Sequence, residues 1–264
     1  ASVQQRLTTV RRATGGSTDY RPRSLEGAVR ALPQANLALI SVPGEYATRE
    51  AKKALNLGLN VLLFSDNVPL VDEVDLKRQA IDQGLLMMGP DCGTAVINGA
   101  PLGFANAVPS GRVGLVSASG SGSQHVMCLL AEAEEGISHA LGVGGRDLSA
   151  EVNGAMMLEG LIALQDDSAT EIIVLISKPP AQSARDRILE AASKSDKPCV
   201  IAFLGELSQP FSCGNVHMEQ TLEGATLRVL KLLGMGTPGW ASIDRAVRKQ
   251  IETQPLSKTI SPNR

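Results

Sequence analysis

The stretch RVGLVSASGSGSQHV, Arg112 to Val126, joins a predicted strand to a predicted helix through a corner of serines and glycines. The apolar run from Val113 to Val116 is typical of a buried strand, and apolar residues from Val126 onward recur at helical spacing. A helix N-terminus leaves backbone N–H groups without partners, and glycines let those groups approach a ligand. The corner therefore predicts an anion-binding site; the alternative is a tight connection in which a serine caps the helix. The predicted anion-binding residues of the corner are Ser117, Ser119, Gly120, Ser121 and Gly122.

Predicted strands and helices alternate on both sides of this corner. Before it, the runs LALISV (Leu37 to Val42), NVLLFS (Asn60 to Ser65) and LLMM (Leu85 to Met88) predict three buried strands separated by helices. After it, the runs SHALGVGG, EIIVLIS (Glu171 to Ser177) and PCVIAF (Pro198 to Phe203) predict three more. This rhythm predicts an α/β protein with right-handed crossovers and parallel sheets.

The sequence divides into two α/β domains and a tail. The loop-rich segment NGAPLGFANAVPSG, Asn98 to Gly111, predicts the boundary between the domains. We place the first domain at residues 1–109, with an irregular or incomplete N-terminal part, and the second at residues 110–235. Residues 236–264 are predicted to form a C-terminal helix and a polar tail. Because the first residue is Ala rather than Met, we expect the chain to be part of a longer protein.

Two further strand ends carry charged residues. Ligands of open parallel sheets bind beyond the carboxyl ends of the strands, so such residues are candidates for a site. GVGGRDLS places Arg146 after Gly144 and Gly145, where a guanidinium can bind a carboxylate or phosphate, or form a surface pair with Asp147. SKPP places Lys178 at a third strand end, where it is either a ligand or a solvated loop charge. Arg146 and Lys178 are the predicted catalytic residues, and Gly144 and Gly145 are added to the predicted anion site.

Composition excludes several classes of function. The net charge is −2 without a long basic run, and there are only one Trp, two Tyr and four Phe, which argues against nucleic-acid binding. No apolar run is long enough for a bilayer and no signal peptide opens the chain, so we expect a cytoplasmic protein without membrane contact. The four cysteines form no CxxC pair and the three histidines no ligand spacing, which predicts no disulfide framework and no metal site. Cys92 is interpreted as structural, since no base for a nucleophilic thiol is evident.

The strand-end motifs, in their order, resemble the α subunit of succinyl-CoA ligase. MGPDCG is similar to that family's Gly-Pro-Asn-Cys turn, GRVGLVSASGSGSQ to its strand and Ser-x-Ser-Gly helix start, and GVGGRDLS, more loosely, to its Gly-x-Gly-Gly-Asp loop. The resemblance implies a Rossmann-like CoA-binding-type domain followed by a flavodoxin-like ligase-type domain. It also implies a CoA-type site, with CoA as a possible cofactor. The residues that it assigns to this site are Ser41, Val42, Pro43, Ser65, Asp66, Asn67, Pro90, Asp91 and Cys92.

The chain departs from that family where its phosphorylated histidine would lie. The family's Gly-His-Ala-Gly motif is not reproduced by GNVHMEQTLEGA, and SKPP stands where the family has a Gly-Glu that supports the histidine. A subgroup, the FdrA family (acyl-CoA synthetase-like), resembles the chain more closely, in LTTVRR, ANLALISVPGEYA, NVLLFSDNV, MGPDCGT, GRDLS and SKPP. Its members are longer than this chain. They are associated with purine-ring (allantoin) catabolism and with carbamoyl transfer to oxamate, acting with other subunits.

Three hypotheses on function follow from these patterns. The first is an enzyme subunit that handles a small acyl or carbamoyl phosphate, in an oxamate carbamoyltransferase-type complex. The second is the α-type subunit of an ADP-forming acyl-CoA synthetase that binds CoA. The third is a non-catalytic module for ligand sensing or assembly. The expected ligands are small anions, including small carboxylates, and the expected partners are other protein subunits or further copies of the chain.

Overall fold

The computed structural model describes residues 22–206 and 209–241, which belong to two units divided between Ala35 and Asn36. In the first unit, the described residues hold one helix, α1 (Leu25–Ala31). Ser24 caps this helix, because its Oγ accepts a hydrogen bond from the Gly27 N–H at 3.1 Å. All described strands belong to the second unit.

The second unit begins with a three-stranded parallel sheet in the order β1-β2-β3. The strands are β1 (Leu37–Ile40), β2 (Asn60–Leu63) and β3 (Met87–Met88), and each lies within a predicted strand. Helices α2 (Gly44–Asn56) and α3 (Leu70–Asp82) connect them. The predicted strand–helix–strand order of this half is confirmed.

An eight-stranded sheet follows, in the order β10-β11-β9-β8-β6-β7-β4-β5. Its central strands are parallel: β6 (Ser110–Ser117), β7 (Ile137–Gly142), β8 (Ile172–Ser177) and β9 (Cys199–Phe203). Three helices connect these strands in turn. They are α4 (Gly120–Glu132), α5 (Ala155–Asp166) and α6 (Gln182–Ser193).

The edges of this sheet are antiparallel, so the sheet is mixed rather than parallel throughout. On one side, β4 (Thr94–Ile97) and β5 (Ala100–Gly103) form a hairpin that pairs with β7. Asn98 and Gly99 join the two strands with φ values of 50° and 76°, as a tight hairpin turn requires. The loop-rich segment before residue 109 thus contains a strand of the second sheet.

On the other side of the sheet, the short strands β10 (Phe211–Cys213) and β11 (Val216–Met218) also form an antiparallel pair. β11 continues the parallel order next to β9. Helix α7 (Leu222–Leu232) follows and packs against α4 and β9.

The core lies between the parallel strands and helices α4 and α7. Burying each large aliphatic side chain contributes about 1.5–3 kcal/mol, so this cluster fixes the strands relative to the helices. Ser117 lies beside Gly142 in the register, and beside Ile176, so β6, β7 and β8 end next to one another. The buried core members from these strands and helices include Val113, Leu115, Val126, Met127, Leu130, Ile137, Val174, Ile176, Val229 and Leu230.

The predicted C-terminal helix falls largely outside the described residues. Trp240 packs against the core, whereas Ile243, Val247 and Ile251 lie beyond residue 241. The turn-like segment before residue 22 lies outside the described residues as well. Among the described residues, no helix combines the length and the apolar composition that crossing a membrane requires.

Candidate functional site

A cavity of about 230 Å³ lies where β6, β7 and β8 end. Its walls come from the three strand ends that the sequence singled out and from the GPDCG turn after β3. The structure therefore brings together residues that are far apart in sequence, because the carboxyl ends of parallel strands share one edge of a sheet. The lining residues are Asp91, Cys92, Gly93, Thr94, Ser117, Ala118, Ser119, Gly120, Ser121, Gly142, Gly144, Gly145 and Lys178.

The N-terminus of α4 forms one wall of this cavity. Ser119 caps the helix, because its Oγ accepts a hydrogen bond from the Gly122 N–H at 3.2 Å. Ser117 fixes the corner, since its Oγ donates to the Ser119 carbonyl at 2.7 Å and accepts from the Ser119 N–H at 3.0 Å. Among the described residues, the N–H groups of Gly120 and Ser121 have no hydrogen-bond partner. The corner is thus capped by a serine and still presents two free donors.

Gly122 does not line the cavity, although it belongs to the predicted anion-binding residues. A Cβ at this position would lie 2.9 Å from Ser119 Oγ and 3.2 Å from Ile176 Cγ2. Gly122 is therefore needed for close packing of the helix start against β8, and its N–H is already used by the cap.

Lys178 brings a positive charge to the cavity. It follows β8 directly and lines the wall together with the start of α4. Its ammonium group has no hydrogen-bond or ion-pair partner within residues 22–206 and 209–241. This cation and the two N–H groups at the helix N-terminus line the same cavity, and both favour an anion there.

The glycine-rich loop after β7 forms another wall of the cavity. Gly144 has a φ of 86°, and a Cβ on it would lie 2.3 Å from the Pro90 carbonyl oxygen. A Cβ on Gly142 would lie 2.5 Å from Cys92 Sγ. These close approaches bring the GPDCG turn against the loop and place Asp91 and Cys92 on the cavity wall.

Cys92 is buried in this wall, and burial raises the pKa of its thiol to about 11. The thiol is therefore protonated at neutral pH, which disfavours it as a nucleophile and favours the structural interpretation. No group of three or more His, Cys, Asp or Glu side chains in the described part of the chain is arranged to hold a metal ion.

Arg146, a predicted catalytic residue, does not line the cavity. Its Nη2 donates to the Val68 carbonyl at 2.8 Å and lies 2.8 Å from Glu73 Oε2. Asp147 is not part of a surface pair, since it is fully buried and accepts from Lys77 Nζ at 2.8 Å. Lys77 was missed in the sequence, because one lysine on a charged helix does not show that it is buried.

A second cavity, of about 520 Å³, lies at the end of the three-stranded sheet. Asp91 lines both cavities, and Phe104 and Phe64 meet edge to face in the second, with ring centroids 5.0 Å apart. Of the residues that the resemblance assigns to a CoA-type site, Asn67, Pro90 and Cys92 are not part of its lining. The residues that line it are Ser41, Val42, Pro43, Phe64, Ser65, Asp66, Asp91 and Phe104.

None of the three histidines lines either cavity. His125 Nε2 lies 2.9 Å from Glu223 Oε1, and His217 Nδ1 lies 2.9 Å from Ser212 Oγ. Burial lowers the pKa of His217, so its ring is neutral at pH 7. His139 accepts the Asn98 N–H at 3.1 Å. The site described above therefore has no histidine in its walls.

Comparison with known proteins identifies sequences that are similar to this chain. Residues 109–205, which span β6 to β9, match the model of the CoA binding domain family. The chain is 46% identical over 224 residues to the Uncharacterized protein YahF of Escherichia coli, covering 85% of this chain and 44% of that protein. It is 28% identical over 180 residues to the succinate–CoA ligase [ADP-forming] subunit alpha of Staphylococcus epidermidis, covering 67% and 58% of the two chains. The chain spans about half the length of these relatives.

Solved structures show the same type of fold. ATP citrate lyase from Methanothrix soehngenii, in complex with citrate and coenzyme A, has a TM-score of 0.62 and 19% identity, over 91% of this chain and 43% of that one. The dinucleotide-forming acetyl-coenzyme A synthetase 1 of Ca. Korarchaeum cryptofilum, in complex with phosphate and ADP, has a TM-score of 0.51 and 22% identity, over 63% and 37%. The chain thus has an acyl-CoA ligase-like α/β fold with a CoA binding domain match, and its sequence is homologous to the α subunits of succinate–CoA ligases.

Proposed function

We propose that the chain is an FdrA-type, succinyl-CoA ligase α-like subunit that binds the phosphate of a small acyl or carbamoyl phosphate at the N-terminus of α4. The observation that carries this proposal is that the Gly120 and Ser121 N–H groups and the Lys178 ammonium, none of which has a partner among the described residues, belong to the lining of one cavity. Anions bind at helix N-termini because the N–H groups and the helix dipole both favour negative charge. The cavity volume of about 230 Å³ suits a small molecule of this kind.

The same arrangement suits transfer of the acyl or carbamoyl group. A nucleophile on the co-substrate attacks the carbonyl carbon, the bond from that carbon to the bridging oxygen breaks, and its electron pair leaves on the phosphate. The proton of the nucleophile passes to the phosphate or to solvent. Charge grows on the departing phosphate, where the N–H groups of α4 and Lys178 stabilise it. Such a step needs positioning and electrostatics rather than a covalent nucleophile, which agrees with the protonated Cys92 thiol.

More specifically, we propose that this subunit works in an oxamate carbamoyltransferase-type complex of purine (allantoin) catabolism. It is supported by the resemblance of the strand-end motifs to the FdrA family and by the lack of histidine in the cavity walls. Without a histidine there, a phosphohistidine relay has no acceptor at this site. Partner subunits would then supply the remaining groups.

Acyl-CoA formation is the second candidate function, and a specific observation favours it. Asp91 lines both the first cavity and the second, where six residues of the CoA-type site lie. A CoA molecule in the second cavity would therefore lie next to the proposed phosphate site. Ser41, Val42 and Asp66 would contact it, and Ser65 would fix this loop, because its Oγ accepts the Val42 N–H at 3.1 Å.

Substitution of Gly120 tests the proposed function. We would titrate carbamoyl phosphate, acetyl phosphate, inorganic phosphate and CoA into the wild-type chain, Gly120→Asp and Gly120→Asn, using calorimetry. A Cβ at this position has Thr94 Oγ1 as its nearest contact, at 3.4 Å, and an acidic residue in the first turn is compatible with a helix. We therefore expect both variants to fold.

The carboxylate of Gly120→Asp would occupy the anion site, whereas Gly120→Asn has the same shape without the charge. We expect carbamoyl phosphate, acetyl phosphate and inorganic phosphate to bind at least about tenfold more weakly to Gly120→Asp than to Gly120→Asn. Equal affinities would remove the phosphate site from the start of α4. Binding of CoA alone, unchanged in both variants, would favour acyl-CoA formation.

A further inference from the structure

Four charged residues behind the first cavity form a buried charge network: Glu73, Lys77, Arg146 and Asp147. The side chains of Glu73 and Lys77 are each 1% exposed and that of Asp147 is fully buried, whereas Arg146 reaches solvent. Fully buried lysine and carboxylate side chains are rare, because removing a charge from water is costly unless it is paired. The burial of these charges therefore indicates a structural or functional role.

Lys77 is the centre of this network. Its Nζ donates to Glu73 Oε1 at 2.9 Å, to Asp147 Oδ1 at 2.8 Å and to the Val143 carbonyl at 2.9 Å. All three donors of the ammonium group are thus satisfied. Arg146 Nη2 lies 2.8 Å from the second oxygen of Glu73 as an ion pair without hydrogen-bond geometry, so two cations and two carboxylates balance one another in charge.

These contacts hold both ends of the glycine wall. Val143 and Asp147, which both bond to Lys77, flank Gly144 and Gly145 in sequence, and these glycines line the first cavity. Asp147 is itself anchored to the start of α5, because its carboxylate accepts the N–H groups of Met156 at 3.1 Å and Met157 at 2.9 Å. Glycines have no side chain to fix their own backbone, so the neighbouring contacts must do so.

We propose that the buried charge network positions the Gly144–Gly145 backbone as a fixed wall of the anion cavity. Glu73 and Lys77 are then positioning residues on α3, and Arg146 acts through Glu73 instead of touching the substrate. This inference rests on the proposed function, in that the wall belongs to the proposed phosphate site. Buried ion pairs often add little stability over apolar side chains, which supports a positional role for this one.

The substitution Glu73→Gln separates an effect of charge from an effect of positioning, because the two change the affinity for an anion in opposite directions. If the network acts on the site only through its charge, loss of a negative charge strengthens binding of an anion. If it acts by positioning, the loosened wall weakens binding. We expect the dissociation constant of inorganic phosphate, and that of carbamoyl phosphate, to rise by roughly fivefold or more.

Glu135→Gln is the matched control. Glu135 is 5% exposed and accepts from Arg112 Nη2 and the Gly136 N–H, at the opposite end of β6 and β7. Its substitution should lower stability while leaving the phosphate affinity within about twofold of wild type. Affinities are compared at a temperature at which all variants stay folded, so that a loss of stability alone does not change the measured phosphate affinity.

Amide hydrogen exchange supplies a readout that needs no ligand. We expect Glu73→Gln to speed exchange at residues 143–147 specifically, and Glu135→Gln to leave that segment unchanged. Unchanged exchange there, or unchanged or tighter phosphate binding, would overturn the positioning role. If the wild-type chain binds no phosphate, the proposed function fails, and the exchange of residues 143–147 decides the positioning role by itself.

Discussion

Two glycine-rich strand ends lie side by side in this protein and use their polar groups in opposite ways. SASGSG, at the end of β6, leaves the Gly120 and Ser121 N–H groups without partners in the part of the chain that the structure describes. GVGGRD, at the end of β7, has both of its charged side chains engaged, Arg146 with Glu73 and Asp147 with Lys77. The first strand end is arranged to contact a ligand, and the second to fix the Gly144–Gly145 wall of the cavity.

The difference comes from partners that are distant in sequence. Lys77 bonds to Val143 and Asp147 across 66 and 70 residues, so nothing near GVGGRD in the sequence indicates that its charges are paired. The free donors of SASGSG, by contrast, follow from local geometry, since every helix N-terminus leaves N–H groups unpaired. Local motifs therefore predict available backbone groups better than available side-chain charges.

The largest effect should come from Lys77→Met. Removing the ammonium leaves the buried carboxylates of Glu73 and Asp147 without it, which should lower the free energy of unfolding by about 3–5 kcal/mol. Chemical denaturation of this variant and of Lys178→Met measures the contrast, because the exposed Lys178 should change stability by less than about 0.5 kcal/mol. Similar losses in both variants would show that the contacts of Lys77 with the β7 strand end matter no more for stability than an exposed lysine does.

A smaller effect is expected within the glycine loop itself. Gly144→Ala forces a side chain into a backbone with φ of 86° and against the Pro90 carbonyl, which should cost about 1–3 kcal/mol or more. Gly145→Ala has no atom within 4 Å of the new Cβ and should be nearly neutral in stability. Thermal unfolding of the pair checks this, and equal melting temperatures would contradict the close contact between the loop and the GPDCG turn.

The smallest effect is expected from removing the charge of Lys178, and it should appear in the affinity for phosphate. Lys178→Met should weaken binding of inorganic phosphate by up to about fivefold, since the lysine is solvent-exposed and its attraction is screened. Lys194→Met is the control, because Lys194 pairs with Glu190 on the surface of α6. Equal phosphate affinity of the two variants, measured by calorimetry at low salt, would show that Lys178 does not reach the anion.

The parallel strands of the fold can largely be predicted from the sequence, whereas the antiparallel edge strands cannot. The parallel strands were predicted because they read as long apolar runs, and their ends converge on one edge of the sheet for topological reasons. Strand β5 was hidden in a segment of turn-forming residues, although Asn98-Gly99 is a strong hairpin signal. Thr94, which lines the cavity from β4, was missed as well, although it directly follows the GPDCG turn.

The candidate site was predicted in part. Ser119, Gly120, Ser121 and Lys178 were singled out as neighbours at strand ends, and the structure places them around one cavity. Arg146 was grouped with them because it follows a strand, but its partner Glu73 lies on another helix. The roles of these residues in binding and catalysis stay predictions until they are measured.

The most direct test of the phosphate site is an NMR titration of the ¹⁵N-labelled chain with inorganic phosphate. The account predicts that the amide resonances of Gly120 and Ser121 shift most and saturate together. Phosphate that merely collects on exposed cations would instead shift amides near Lys52 and Lys53 on α2, which line a different surface pocket. Largest shifts at that helix, or no saturable shift at Gly120 and Ser121, would contradict a phosphate site at the start of α4.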